Sequence, residues 1–145
     1  LAPTRMTVGM QGALGCAPER LPEAKRALTT AVPDDFEHEQ AIAYHLRGRG
    51  LVVMTSCGHR GIVNSVRKAM QVAGTYKVHA VLGGFHLAPH AVDYQRQTLA
   101  ELKAINPDFL IPMHCSGETF VSMVHTEMPE RFVRSSTGTR FVFNA

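Results

Sequence analysis

The sequence predicts a mixed α+β domain in which helices pack on a β-sheet, and three observations predict it. Short, β-branched apolar runs recur at 51–55, 77–84 and 109–113. Each is followed by a stretch whose apolar residues fall at helical spacing. Glycine or proline punctuates the junctions. Alternating strands and helices bury their apolar sides only by stacking a helix layer on a sheet. The unit recurs but its sequence does not, so this is architecture and not a tandem repeat.

Residues 1–39 read as a loop-rich opening segment, holding Gly9, Gly12, Gly15, Pro18, Pro22 and Pro33. One short helix is expected near 22–29, followed by the acidic stretch PDDFEHE at 33–39. The ordered part of the domain is expected over 40–145. QAIAYHL (40–46) alternates as a strand does, RGRG (47–50) supplies a tight turn, and LVVMT (51–55) is a buried strand. A helix over 61–74 follows, with Ile62, Val66, Ala69, Met70 and Ala73 inward and Gly74 as its stop. KVHAVLGG (77–84) is the next strand. DYQRQTLAELKAIN (93–106) is an amphipathic helix with Asp93 as cap, Leu99, Leu102 and Ile105 as inner stripe, and Pro107 as terminator. FLIPM (109–113) is a strand, and GETFVSMVHTEMP (117–129) a helix that Pro129 ends. RFVRSSTGTRFVFNA reads as a closing hairpin about Ser136-Thr137-Gly138-Thr139.

Bulk properties exclude several classes of function. An apolar fraction of 45% and a charged fraction of 19% belong to a globular chain. The net charge of +3 is weak and its basic residues are scattered, so neither nucleic acid nor a membrane surface is an expected partner. No apolar run approaches the roughly 18 residues of a membrane span, and no signal peptide is visible. Cys16, Cys57 and Cys115 are too few and too widely spaced for a disulfide framework, which makes a reducing cytoplasm the simplest setting.

The chemistry sits where the strands end. LVVMTSCGHRG, VHAVLGGFHL and FLIPMHCSG each deliver a histidine beyond an apolar run: His59, His86 and His114. In sheets carrying helices, ligands gather beyond the carboxyl ends of strands. The intervals of 27 and 28 residues (59 to 86, 86 to 114) are each about one strand-helix period, so the three imidazoles are expected at one edge. Neutral imidazole is a common ligand for zinc and similar ions. Polar loop residues are the alternative reading of the same histidines. Gly58, Gly61, Gly83, Gly84 and Gly117 allow sharp turns and leave room for metal and substrate. Gly84 and Gly117 are therefore candidate substrate contacts, Gly117 through the amides that open the next helix. Asp35 and His38, in the acidic stretch, could line the entrance. His79 and His125, inside elements, read as structural, and His45 and His90 are weak candidates. Cys57 and Cys115 flank two of the candidate ligands; either could coordinate zinc as thiolate, or simply pack as a small apolar side chain.

LVVMTSCGHRGIVNSV, AVLGGFHL and IPMHCSG, in that order, resemble the second half of a metallo-β-lactamase-superfamily protein over roughly residues 33–145. They are most similar to the branch of 7,8-dihydropterin-6-methyl-4-(β-D-ribofuranosyl)aminobenzene-5′-phosphate synthases. The resemblance implies an αββα sandwich, of which this chain supplies the C-terminal half. It also implies a two-ion divalent metal site, zinc first with manganese or iron as alternatives. His59 and His114 match metal ligands, while His86 takes the place where many relatives carry a bridging Asp, so it holds metal or orients substrate. The implied activity is that of a metal-dependent hydrolase, with a metal-bound hydroxide attacking a phosphoester, ester or related small-molecule substrate, or a dihydropterin-linked synthesis. The superfamily's His-x-His-x-Asp-His motif is absent, because this chain contains no His-x-His. Together with the start at Leu1, this gives the expectation that the N-terminal half of the fold is a missing segment or a second chain. An exposed apolar sheet face, and association with that partner or with another copy, would follow. The rival expectations are a non-catalytic nucleotide- or small-ligand-binding α/β module, and an inactive half-domain.

Overall fold

The computed structural model describes residues 36 and 38–144. The opening segment up to Asp35, with its expected helix near 22–29, lies outside the described residues.

The first hairpin forms as its alternation predicts. β1 (Ala41–Leu46) runs antiparallel to β2 (Gly50–Thr55), pairing Ala41 with Thr55 and Leu46 with Gly50. Gly48, at φ 73°, makes the turn. β1 is an edge strand, with Ile42 and Tyr44 about half exposed. From β2 onward the chain alternates. α1 (Ile62–Ala73) leads to β3 (Val78–Gly84), α2 (Val92–Ile105) to β4 (Phe109–Met113), and a 3-10 turn (His114–Ser116) opens α3 (Glu118–Glu127). β2, β3 and β4 are parallel, and the sheet order is β1-β2-β3-β4.

Both faces of β2–β4 are apolar, as parallel strands require when both faces are covered. On one face Leu51, Val53, Val81 and Leu110 pack against Ile62 and Val66 of α1, Leu99 and Leu102 of α2, and Phe120 and Val124 of α3. On the other face Val52, Ala80, Leu82 and Ile111 meet Val133, Phe141 and Phe143. The described architecture is thus one helix layer on one mixed sheet.

Element ends follow local chemistry. Gly74 (φ 63°) and Asn106 (φ 57°) close α1 and α2 in the left-handed conformation, each backbone N–H returning to a carbonyl of the last turn. Asp93 lies in the first turn of α2 rather than capping it: the cap position is Ala91, and Asp93 instead places negative charge near the helix's positive end. The expected closing hairpin does not form. Ser136 and Thr139 make its turn (Thr139 N–H to Ser136 O, 3.0 Å), but the flanking segments pair elsewhere. Phe132 bridges to Leu110 beside β4, with Leu110 N–H to Arg131 O at 2.8 Å. Phe141 and Phe143, partly buried, pack on the sheet face instead.

Candidate metal centre

The carboxyl ends of β2, β3 and β4 are tied together before any functional side chain is considered. Thr55 Oγ1 donates to Gly84 O at 2.8 Å, and Gly84 N–H donates to Ser56 O at 3.1 Å. Ser116 is fully buried; its hydroxyl accepts from Phe85 N–H at 3.1 Å and donates to Met113 O at 2.7 Å. Ala88 N–H reaches Cys115 O at 3.2 Å. Glycine is required for this approach: at Gly83, with φ 122°, a Cβ would overlap the Thr55 carbonyl oxygen. The loops carrying His59, His86 and His114 are therefore one braced unit.

Glu39 fixes the first histidine. Its carboxylate accepts from Gly58 N–H at 3.1 Å and Arg60 N–H at 3.0 Å, and lies 3.2 Å from His59 Nδ1. Phe36 stacks on the His59 ring at 4.6 Å. With Nδ1–H pointed at a carboxylate, Nε2 is the nitrogen left to face a cation, an arrangement typical of metal-ligating histidines. Reading the sequence singled out Asp35 and His38 in this stretch and missed Glu39. Asp35 lies outside the described residues, and His38 is exposed, its ring 5.9 Å from that of Phe36.

His86 comes from the next strand end, and its ring centroid lies 4.4 Å from that of His59. It is 7% exposed and adopts φ 48°, a left-handed conformation uncommon for a side chain of this size. Burial, then the neighbouring His59 and His90, lowers its pKa to about 4, with Glu39 opposing and His114 adding a smaller push downward. The ring is thus neutral near pH 7, the form that binds metal. His90, a weak candidate by sequence, stands 6.3 Å from His86 and packs on Tyr94 at 4.6 Å; burial lowers its pKa too. Its position four residues after His86, in the same loop, was the signal available. A cavity of about 60 Å³ lies beside these rings, lined by His59, His86, His90, Asn64 and Tyr94 among others.

His114 is exposed and also left-handed, at φ 53°. Its ligand nitrogen groups with the sulfurs of Cys57 and Cys115, all three atoms lying within 4.8 Å of one another. Among the described residues His59, His86 and His114 do not form so tight a group; His114 lies close enough to His86 to push its pKa down. Burial pushes the Cys115 thiol up to about 11, Cys57 adds to the rise, and the His86 backbone amide opposes it. Gly84 is buried, and a Cβ there would lie 2.8 Å from Cys115 Sγ and 3.0 Å from Cys57 Cα. Gly117, at φ 82°, precedes α3 and sits against Ala88. His79 pairs with Asp108 at 2.7 Å, a structural contact remote from this edge.

The donors suit a divalent ion: imidazoles on separate strand ends, one oriented by a carboxylate, with two thiols alongside. The described fold resembles part of a β-lactamase-superfamily domain. A solved structure described as a metal-dependent hydrolase of the β-lactamase superfamily matches with a TM-score of 0.69 and 28% identity, over 79% of this chain and 44% of that one. The chain is also similar to 7,8-dihydropterin-6-methyl-4-(beta-D-ribofuranosyl)-aminobenzene-5'-phosphate synthase of Methanocaldococcus jannaschii. The two are 34% identical over 107 residues, which is 74% of this chain and 36% of that protein. Both relatives are described as enzymes, and this chain spans less than half the length of either. No family model matches the sequence. No helix among the described residues is long and apolar enough to cross a membrane.

Proposed function

We propose that the chain supplies part of the metal centre of a metal-dependent hydrolase-like enzyme acting on a phosphoester, ester or related small molecule. The observation that carries this reading is the convergence of His59 and His86, from separate strand ends, with ring centroids 4.4 Å apart beside the Glu39 carboxylate. Backbone conformation adds support. Among the described residues four that are not glycine have positive φ, and Phe36, His86 and His114 are three of them. Such conformations cost about 1–3 kcal/mol each and gather at functional sites.

In this reading His59 and His114 hold a divalent ion, zinc first, with manganese or iron as alternatives. His86 either joins them or orients substrate. A bound ion of this kind polarises an oxygen centre and lowers the pKa of water. The chain's own contributions are distinct from that. Glu39 keeps His59 in one tautomer, Phe36 stacks on the His59 ring, Tyr94 packs on His90 beside His86, and Gly84 and Gly117 let the loops close at the substrate edge, with His38 at the entrance. A second ion and the remaining ligands belong to the N-terminal half of the same fold, as a preceding segment or a second chain. A dihydropterin-linked synthesis, as the name of the Methanocaldococcus relative describes, is the second chemistry such a site would serve beside hydrolysis.

Elemental analysis of purified chain tests the proposal. Stoichiometric zinc, manganese or iron is expected, and the His59→Ala/His114→Ala variant should lose at least about tenfold in metal affinity. A metal-free protein would favour a ligand-binding module that needs no ion, and metal content indifferent to that double substitution would remove His59 and His114 from the centre.

A further inference from the structure

The geometry points to a separate thiolate-rich zinc site formed by Cys57, His114 and Cys115, with its fourth position open to solvent. The three residues come from two strand ends that are far apart in sequence: Cys57 follows β2, and His114 and Cys115 follow β4. Their ligand atoms lie within 4.8 Å of one another. A tetrahedral zinc with bonds of the usual length places its ligands roughly 3.5–3.8 Å apart. The required contraction is about 1 Å, within reach of side-chain rotation, because none of the three residues is buried.

A second observation is that no side chain stands between the two cysteine loops. β3 ends between them at Gly84, whose missing Cβ would lie 2.8 Å from Cys115 Sγ and 3.0 Å from Cys57 Cα. Any larger residue would hold the cysteine loops apart. Cys115 Sγ already lies 3.5 Å from Cys57 O, so the two loops are in contact. His114 projects from the same 3-10 turn in a left-handed conformation, and it is the exposed member of the trio. Two thiolates and one imidazole favour zinc over magnesium or manganese. Three protein ligands with one open position are the arrangement in which zinc accepts water or a small anionic ligand.

His114 is claimed by both sites. Because a neutral imidazole offers one lone pair to one ion, the cysteine site competes with the imidazole centre for it. The experiment separates the two. Fully reduced chain is titrated with cobalt(II) as a spectroscopic stand-in, then with zinc in competition. The expected result is a near-ultraviolet thiolate-to-cobalt charge-transfer band, which zinc abolishes. Cys57→Ser and Cys115→Ser should each remove or strongly diminish that band, while His59→Ala/His86→Ala leaves it intact. Cys57 occupies a partly exposed loop position, so its conservative variant reports on the site even if Cys115→Ser fails to fold. Absence of the band from the unsubstituted chain overturns the inference. So does a band that persists in Cys57→Ser, or one that disappears with His59 and His86 while both cysteines remain. Failure of the imidazole reading alone would show as unchanged total metal in His59→Ala/His86→Ala beside an intact band.

Discussion

Glu39 shows how one side chain governs a loop whose sequence does not announce it. Its two carboxylate oxygens accept from Gly58 N–H and Arg60 N–H and face His59 Nδ1, so three polar groups of the β2–α1 loop depend on one acid. The sequence marks the acidic stretch at 33–39 as a candidate border of the site but gives no reason to choose Glu39, a described acid that turns inward. That choice is made by the turn in which Glu39 N–H returns to Phe36 O at 2.9 Å, and by the stacking of Phe36 on His59. Glu39→Gln preserves shape and removes charge, setting an amide N–H₂ against donors that need an acceptor. Stability should fall by about 1–3 kcal/mol, and affinity for a His59-bound ion by about 10–100-fold. Thermal melts and zinc-competition titrations read these separately. A variant with native zinc affinity would remove Glu39 from the centre.

Strand-helix periodicity made most elements readable. The spacing of 27 and 28 residues between histidines is long enough for one helix and its return strand, so β3 and β4 fall where the apolar runs indicate. The carboxyl-end placement of His59, His86 and His114 follows from that spacing. Less legible was how far each ring leans, because this depends on left-handed turns at His86 and His114 that no propensity forecasts. The closing segment misled for a related reason. Its turn chemistry is local and forms, whereas strand pairing is decided by competition with β4 and with the sheet face, which take Phe132, Phe141 and Phe143. Gly83 carries a prediction at this scale. Alanine there meets the Thr55 carbonyl at φ 122°, so Gly83→Ala should cost about 2–4 kcal/mol in chemical denaturation. Wild-type stability in that variant would show that the strand ends are not closely packed.

For the molecule as a whole, the helix layer covers one sheet face with three amphipathic helices, while the other face meets Val133, Phe141 and Phe143. The exposed apolar sheet face expected of a lone half-fold is therefore not found on β2–β4, where Val52, Ala80, Leu82 and Ile111 are buried. The superfamily resemblance was legible because three short motifs arrive in order. The meeting of Cys57 with Cys115 was not, since nothing in the linear sequence shows that β3 ends in a glycine lying between them. Every functional statement rests on the carboxyl edge of β2, β3 and β4 being a place where a cation is held. Anomalous diffraction at the zinc edge, from crystals of zinc-loaded chain, tests this most directly. The account predicts ordered anomalous density at that edge, within bonding distance of His59 Nε2 and of His114. Density confined to other surfaces, with both imidazoles bare, would contradict it.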